Sequence, residues 1–179
     1  MEVSSKPKSS ADTRDEDSSQ TVDGATSLRL VDRTEAAVAR SPWLAARLLG
    51  ALSLLAVGAV HLQQYEFLYS AIPTIGTLFV LNFVGATALG LGLLSPVERL
   101  LGRWGGAAVA LLAAGGVLLA ATAFASLLIS ERTPLFGFME PGYDPAAIMA
   151  SKVAELVTVG LLGSYLGARL SGRASAGGW

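Results

Sequence analysis

Four long apolar segments constrain this chain more than any other feature of its sequence. They cover residues 43–63, 71–94, 105–129 and 145–170. Each reaches the roughly 20 residues that a helix needs to cross about 30 Å of hydrocarbon. Because a helix satisfies its own backbone hydrogen bonds in lipid, the sequence predicts an all-α fold, a bundle of four transmembrane helices.

The low content of charged residues excludes several classes of function. Only 15% of the 179 residues are charged, against about 25% in an ordinary soluble domain. A chain of this size cannot enclose so much apolar surface in one water-soluble core, so a soluble enzyme is excluded. The net charge of -1 provides no basic surface for nucleic acid. The partner that this composition indicates is the lipid bilayer.

About half of the charged residues lie near the N-terminus. Residues 1–40 hold six Lys or Arg and eight Asp or Glu and are poor in aromatic residues. Such a segment cannot bury enough apolar area to offset its ordering entropy, so we predict a disordered cytoplasmic tail. Within it, residues 27–40 form either a short amphipathic helix or a solvated linker. The transmembrane domain then covers residues 41–172, and a C-terminal tail covers residues 173–179.

The distribution of Lys and Arg predicts the orientation, because positive residues favour the cytoplasmic side of a membrane. They flank the start of the first segment, the connection between the second and third, and the end of the fourth. These residues are Arg33, Arg40, Arg47, Arg99, Arg103, Arg169 and Arg173. The other two connections contain Arg132 alone among several acidic residues. We therefore expect a multi-pass protein of the plasma membrane with both termini in the cytoplasm.

The fourth segment carries two ionisable residues at depth, Lys152 and Glu155. They lie three positions apart, so they share a helix face, roughly 10–15 Å from the external end of the segment. Because each costs about 2.5–3.5 kcal/mol inside a membrane, they are expected to face the interior of the bundle or a wet cavity. Two interpretations stay open. The residues form a self-neutralising structural pair, or they form a ligand or proton site in which Glu155 is the principal group.

Three further polar residues are candidates for the same site. His61, at the external end of the first segment, can titrate near neutral pH, bind a metal or hydrogen-bond a neighbour. Glu66 follows in the first external loop. Asn82 lies midway along the second segment, at a depth similar to that of Glu155. An amide there seeks an interhelical partner, so Asn82 is either structural or part of the site.

The sequence offers little for metal or covalent catalysis. It contains one His and no Cys, which excludes a multi-histidine metal site, a haem site and thiol chemistry within one chain. No glycine loop of the phosphate-binding type occurs. We therefore predict no metal, no cofactor and no catalytic residue.

Two features bear on how the bundle is completed. The external loop at residues 132–144 is apolar for an exposed segment, so it is expected to act as a lid over a pocket or as an anchored interfacial turn. Four small-xxx-small pairs allow close helix packing: Ala46/Gly50, Ala86/Gly90, Ala88/Gly92 and Gly163/Gly167. Packing within the chain is one interpretation of these pairs. Association with a second copy, or with another membrane protein, is the other.

One stretch of the sequence carries a family resemblance. The residues that carry it are His61, Tyr65, residues 71–82 (AIPTIGTLFVLN) and residues 135–141 (LFGFMEP), followed by an acidic fourth helix. Over about residues 45–170 the chain resembles uncharacterised four-helix integral membrane proteins of high-GC Gram-positive bacteria, and its plan is loosely similar to that of DoxX-like proteins. The resemblance implies the fold, and it implies no activity or functional residue.

The leading hypothesis is an accessory or small-ligand-binding membrane protein without catalysis of its own. Its polar pocket would open toward the outer face and be lined by His61, Glu66, Asn82, Lys152 and Glu155. The alternative is a small transporter subunit or proton-coupled carrier that uses Glu155. A third hypothesis is a component of a membrane oxidoreductase that relies on the cofactor of a partner.

Overall fold

A computed structural model describes residues 42–176 of the chain. It contains four long helices, α1 (Pro42–Gln64), α2 (Pro73–Leu94), α3 (Gly105–Ser130) and α4 (Pro145–Ala176). The described residues form no β-strand. The predicted all-α fold with four long apolar helices is confirmed.

Short helical turns complete the connections. A π-helical turn, Tyr65–Tyr69, continues α1, and the turns Val97–Leu100 and Gly102–Trp104 join α2 to α3. The predicted N-terminal tail, with its alternative helix at residues 27–40, lies outside the described residues. At the other end, α4 continues to Ala176, past the predicted limit of the transmembrane domain at residue 172.

All four helices are long and apolar enough to cross a membrane, and the chain is a multi-pass membrane protein. Their outward faces are apolar, as contact with hydrocarbon requires. Large exposed side chains on these faces include Leu52, Leu81, Leu111, Leu118 and Leu156. An exposed surface of this kind would be a liability in water and is the normal exterior of a membrane bundle.

Consecutive helices run antiparallel and form a closed ring in which α1 packs on α2 and α4, and α3 also packs on α2 and α4. Glycines allow the close approach. A Cβ added at Gly50 of α1 would lie 2.6 Å from the Leu162 side chain of α4, and one at Gly90 of α2 would lie 2.8 Å from Leu55. Without a hydrophobic drive between helices in lipid, such close dispersion contacts stabilise the bundle.

The predicted packing pair on α4 is placed differently. A Cβ added at Gly163 or Gly167 would meet nothing within 4 Å, so these two glycines do not pack against another helix of the described chain. Packing within the chain is therefore the wrong interpretation of this pair, while it is confirmed for Gly50, Gly90 and Gly92. Association with a second copy through this face stays a prediction.

Candidate functional site

A cavity of about 540 Å³ lies between the four helices, close to the end of the bundle at which α1 and α3 finish. The π-helical turn and the loop before α4 also contribute to its wall. Its apolar lining includes Val60, Ile75, Leu78, Phe79, Leu81, Leu118, Leu119, Leu127, Leu135, Phe138 and Ile148. An apolar cavity with a few polar groups is the usual form of a small-molecule site.

The cavity reaches the outer surface of the bundle between α2 and α3. Two of its lining residues, Leu81 on α2 and Leu118 on α3, are 60% and 69% exposed. Both lie in the middle of helices that are long enough to span a membrane. At this level the surface of a membrane protein is covered by hydrocarbon chains, so this side of the cavity faces lipid.

Glu155 contributes a buried carboxylate to the cavity from α4. The residue is only 1% exposed. Its Oε1 accepts a hydrogen bond of 2.9 Å from Ser151 Oγ, while its Oε2 has no hydrogen-bond partner among the described residues. Burial of an unpaired polar atom costs free energy. A bound molecule that donated a hydrogen bond to Oε2 would remove this cost, and Oε2 is therefore a favourable contact for a ligand.

His61 approaches Glu155 from α1. Its Nδ1 lies 2.9 Å from Val57 O, and because a carbonyl oxygen only accepts, Nδ1 carries a proton and donates it. Its Nε2 lies 3.9 Å from Glu155 Oε1, which is too long for a hydrogen bond. The ring of Phe79 packs against the imidazole, with centroids 5.1 Å apart. His61 therefore stands beside the carboxylate without bonding to it.

Asn82 lines the same cavity from α2. Its Oδ1 is buried and has no hydrogen-bond partner in the part of the chain that the structure describes. Although Asn82 and Glu155 are expected at similar depth, neither Asn82 Oδ1 nor the unpaired Glu155 Oε2 joins the two residues in a hydrogen bond. Instead Asn82 Oδ1 and Glu155 Oε2 are two hydrogen-bond acceptors, unpaired among the described residues, in the wall of one cavity.

Lys152 pairs with Glu131, which directly follows α3. Its Nζ lies 2.6 Å from Glu131 Oε1, and Lys152 is not part of the cavity wall. The interpretation of Lys152 and Glu155 as a self-neutralising pair is therefore wrong. The physical reason is that a long lysine side chain extends toward the end of its helix and the polar boundary of the membrane. Sequence spacing along α4 does not show which neighbouring helix end supplies a carboxylate there.

Glu66 lies outside the cavity. It is exposed on the π-helical turn, where Ser70 N donates to Tyr65 O over 3.0 Å. A π-helical turn rotates the chain less per residue than an α-helix does. In this register Tyr69, which is buried, lines the cavity.

Tyr69 and Glu140 join the loop before α4 to the bundle, and sequence reasoning did not assign them to the site. The Tyr69 hydroxyl donates to Glu140 Oε2, and Gly142 N donates to Oε1 over 2.9 Å. The Phe138 ring packs edge-on against Tyr69, with centroids 5.6 Å apart. The loop therefore folds over this end of the cavity. The only signal in the sequence was the acidic and aromatic composition of residues 132–144.

The described residues contain no group of three or more His, Asp or Glu side chains that could hold a metal ion. What the cavity offers is a set of hydrogen-bond acceptors within an apolar and aromatic wall. Such a set can orient a ligand that donates hydrogen bonds.

Comparison of the chain with protein-family models, with curated proteins and with solved structures finds no match. The resemblance to four-helix membrane proteins of high-GC Gram-positive bacteria therefore stays a prediction, and the cavity has to be interpreted from its own residues.

Proposed function

We propose that this membrane protein binds a small, mostly apolar ligand that carries a hydrogen-bond donor. One observation supports the proposal above all others. Glu155 Oε2 and Asn82 Oδ1 are buried acceptors in the wall of one cavity, and neither has a partner among the described residues. Buried polar atoms are nearly always paired in folded proteins, so these two atoms mark where the polar group of a ligand would lie.

The rest of the cavity supports an apolar body for this ligand. Its volume of about 540 Å³ is within the roughly 300–1,000 Å³ that is usual for small-molecule sites. The exposed lining residues Leu81 and Leu118 give the ligand a path from the lipid between α2 and α3. A molecule that partitions into the membrane would therefore enter from the side of the bundle.

Adamantanol and adamantane test this proposal, because they share a compact apolar body and only adamantanol carries a hydroxyl donor. The protein in detergent micelles is titrated with each compound, and the midpoint of thermal unfolding is recorded. A ligand that binds only the folded state raises its stability, so adamantanol is expected to raise the midpoint more than adamantane does. No rise, or an equal rise for both compounds, would contradict the proposal.

A matched pair of variants on α3 locates the binding. Ala123 lines the cavity, while Ala125 is exposed and lies outside it. Ala123→Phe fills part of the cavity and should abolish the response to adamantanol. Ala125→Phe introduces the same ring on the outer face and should leave the response unchanged. A response that survives Ala123→Phe would place the binding elsewhere, for example in the detergent layer.

A proton-coupled carrier is the second candidate, with Glu155 as the group that exchanges a proton. Its support is that Glu155 lies within a span and that the neighbouring Lys152 is bonded to Glu131 instead. Ionisable residues at such positions commonly belong to proton or substrate pathways. In proteoliposomes with an internal pH dye and added adamantanol, an acid pulse should acidify the lumen faster with the wild type than with Glu155→Gln. Equal rates would exclude the carrier and leave the binding proposal intact.

A further inference from the structure

Two acidic side chains line the cavity, together with His61 and several neutral polar residues. Among the described residues that line it, the carboxylates are Glu140 and Glu155, and none is Lys or Arg. Glu140 is satisfied, because its two oxygens accept from the Tyr69 hydroxyl and from Gly142 N. Glu155 keeps one oxygen unpaired. The acidic group of the cavity with an oxygen that lacks a partner among the described residues is therefore Glu155.

The two basic groups near Glu155 in the described chain do not form a hydrogen bond with it. Lys152 is engaged by Glu131, at 2.6 Å. His61 donates from Nδ1 to Val57 O, and its Nε2, at 3.9 Å from Glu155 Oε1, has no acceptor within bonding distance there. A buried imidazolium would need an acceptor for both N–H groups, so this environment fits the neutral ring.

The wall between the two carboxylates is aromatic. The rings of Phe79 and Tyr69 stack with centroids 4.7 Å apart, and Phe79 also packs on His61. The aromatic wall that leads from Glu140 toward Glu155 is therefore favourable for the apolar body of a ligand that also carries a polar group.

We propose that the ligand is a lipophilic amine that binds as its ammonium form, with N–H groups donated to Glu155 Oε2 and Asn82 Oδ1 and the apolar body held between α2 and α3. This inference rests on the proposed binding function and adds the chemical class of the ligand. An ammonium supplies both the missing charge and several donors. An alcohol supplies one donor and leaves the charge uncompensated, and a carboxylate adds a second negative charge.

Three compounds with the same apolar body test the inference: adamantylamine, adamantanol and adamantane carboxylate. Their affinities are measured by isothermal titration near neutral pH, with the protein in an uncharged detergent so that the micelle does not attract the cation. The amine should bind about tenfold to a hundredfold more tightly than the alcohol, because hydrogen bonds to a charged group are that much stronger than neutral ones. The carboxylate should bind most weakly.

Two matched variants assign the preference to Glu155. Glu155→Gln keeps the shape of the side chain and removes its charge, so it should bring the affinity for the amine down to that for the alcohol. Glu66→Gln removes one carboxylate from the exposed π-helical turn and should keep the full preference. A preference that survives Glu155→Gln would overturn the assignment.

The comparison of the three compounds on the wild type does not depend on any variant folding. If the alcohol binds as tightly as the amine, the inference is overturned and the proposed binding function stands. If none of the three compounds binds in a way that Ala123→Phe abolishes, both fail. A selective amine response that Ala123→Phe abolishes and Ala125→Phe keeps supports both.

Discussion

Arg47 Nε donates a hydrogen bond of 2.8 Å to Leu93 O, which joins the start of α1 to the end of α2. The same guanidinium donates to Ser95 O over 3.0 Å and lies 3.3 Å from a carboxylate oxygen of Glu98. The last carbonyl groups of a helix have no partner within it, so Arg47 closes the end of α2 from a neighbouring helix. An arginine that first served to predict orientation is thus also a structural link.

Replacement of Arg47 should therefore destabilise the bundle. Arg47→Met keeps most of the apolar stem and leaves the carbonyl groups at the end of α2 unpaired. We expect the free energy of unfolding to fall by about 2–4 kcal/mol, measured by denaturant unfolding in mixed micelles. Arg99→Met is the control, because Arg99 is exposed on the next turn of the chain. The control should change stability by less than about 0.5 kcal/mol, and equal losses would contradict the role of Arg47.

A double-mutant cycle should identify Glu131 as the partner of Lys152. The two side chains are partly buried, at 23% and 30% exposed, so their coupling in Lys152→Met and Glu131→Gln should be about 1 kcal/mol. The matched cycle of Lys152→Met with Glu155→Gln should give a smaller coupling, because no hydrogen bond or close ion pair joins these two side chains. The measurement is the free energy of unfolding of the four proteins in each cycle. A larger coupling with Glu155 would restore the pair that the sequence suggested.

The sequence predicts the transmembrane helices well, because the length and apolar composition of a helix are properties of one continuous segment. The site depends on contacts between helices, and these are not local. Lys152 and Glu155 share a face of α4, yet the carboxylate that binds Lys152 comes from the end of α3. Glu66 is near His61 in the sequence, yet Glu66 is exposed on the π-helical turn and Tyr69 of the same turn lines the cavity.

The cavity could be predicted only in part for a similar reason. His61, Asn82 and Glu155 could be predicted as site residues from the sequence. Polar side chains cost free energy inside an apolar segment, so their presence there indicates a site or an interhelical contact. The space around them lies beside the contact between α2 and α3, which is less extensive than the other contacts between neighbouring helices. That property depends on the combined shape of side chains such as Leu81 and Leu118, and no single position in the sequence reports it.

Substitution by Ala should affect stability differently at a glycine that packs against another helix, such as Gly50, and at one that does not, such as Gly163. Gly50→Ala places a methyl group 2.6 Å from the Leu162 side chain, and such overpacking should lower the free energy of unfolding by about 1–3 kcal/mol. Gly163→Ala meets nothing within 4 Å and should be neutral or stabilise the helix by up to about 1 kcal/mol. Both are measured in dilute micelles. A loss of stability in Gly163→Ala that grows with protein concentration would indicate that this face binds a second copy.

Removal of the Tyr69 hydroxyl should release the loop that covers the cavity. Tyr69→Phe keeps the ring that stacks on Phe79 and leaves one oxygen of the buried Glu140 unpaired. The expected cost is about 1–3 kcal/mol. Amide hydrogen exchange should become faster across residues 132–144, and most clearly at Gly142 N. Tyr143→Phe is the control, because Tyr143 is exposed in the same loop, and its exchange pattern should match that of the wild type.

Asp144 should make the junction between this loop and α4 sensitive to acid. Its Oδ1 accepts from Ala147 N and its Oδ2 from Gln64 Nε2, each over 3.0 Å. The backbone N–H of Ala147, and after it the Gln64 amide, hold the pKa of Asp144 below its ordinary value of 3.8. A carboxylate with a lowered pKa stabilises the folded state fully above that ordinary value, and this contribution is lost as the pH falls through the pKa of the folded state.

The matched variant for this pH dependence is Asp144→Asn, since Asn also caps helices well but does not titrate. The difference in unfolding free energy between the wild type and Asp144→Asn should be constant above about pH 5 and should shrink below about pH 4. Other carboxylates titrate equally in both proteins, so their contributions cancel in this difference. A difference that stays unchanged down to about pH 2 would show that the two hydrogen bonds do not depend on the charge of Asp144.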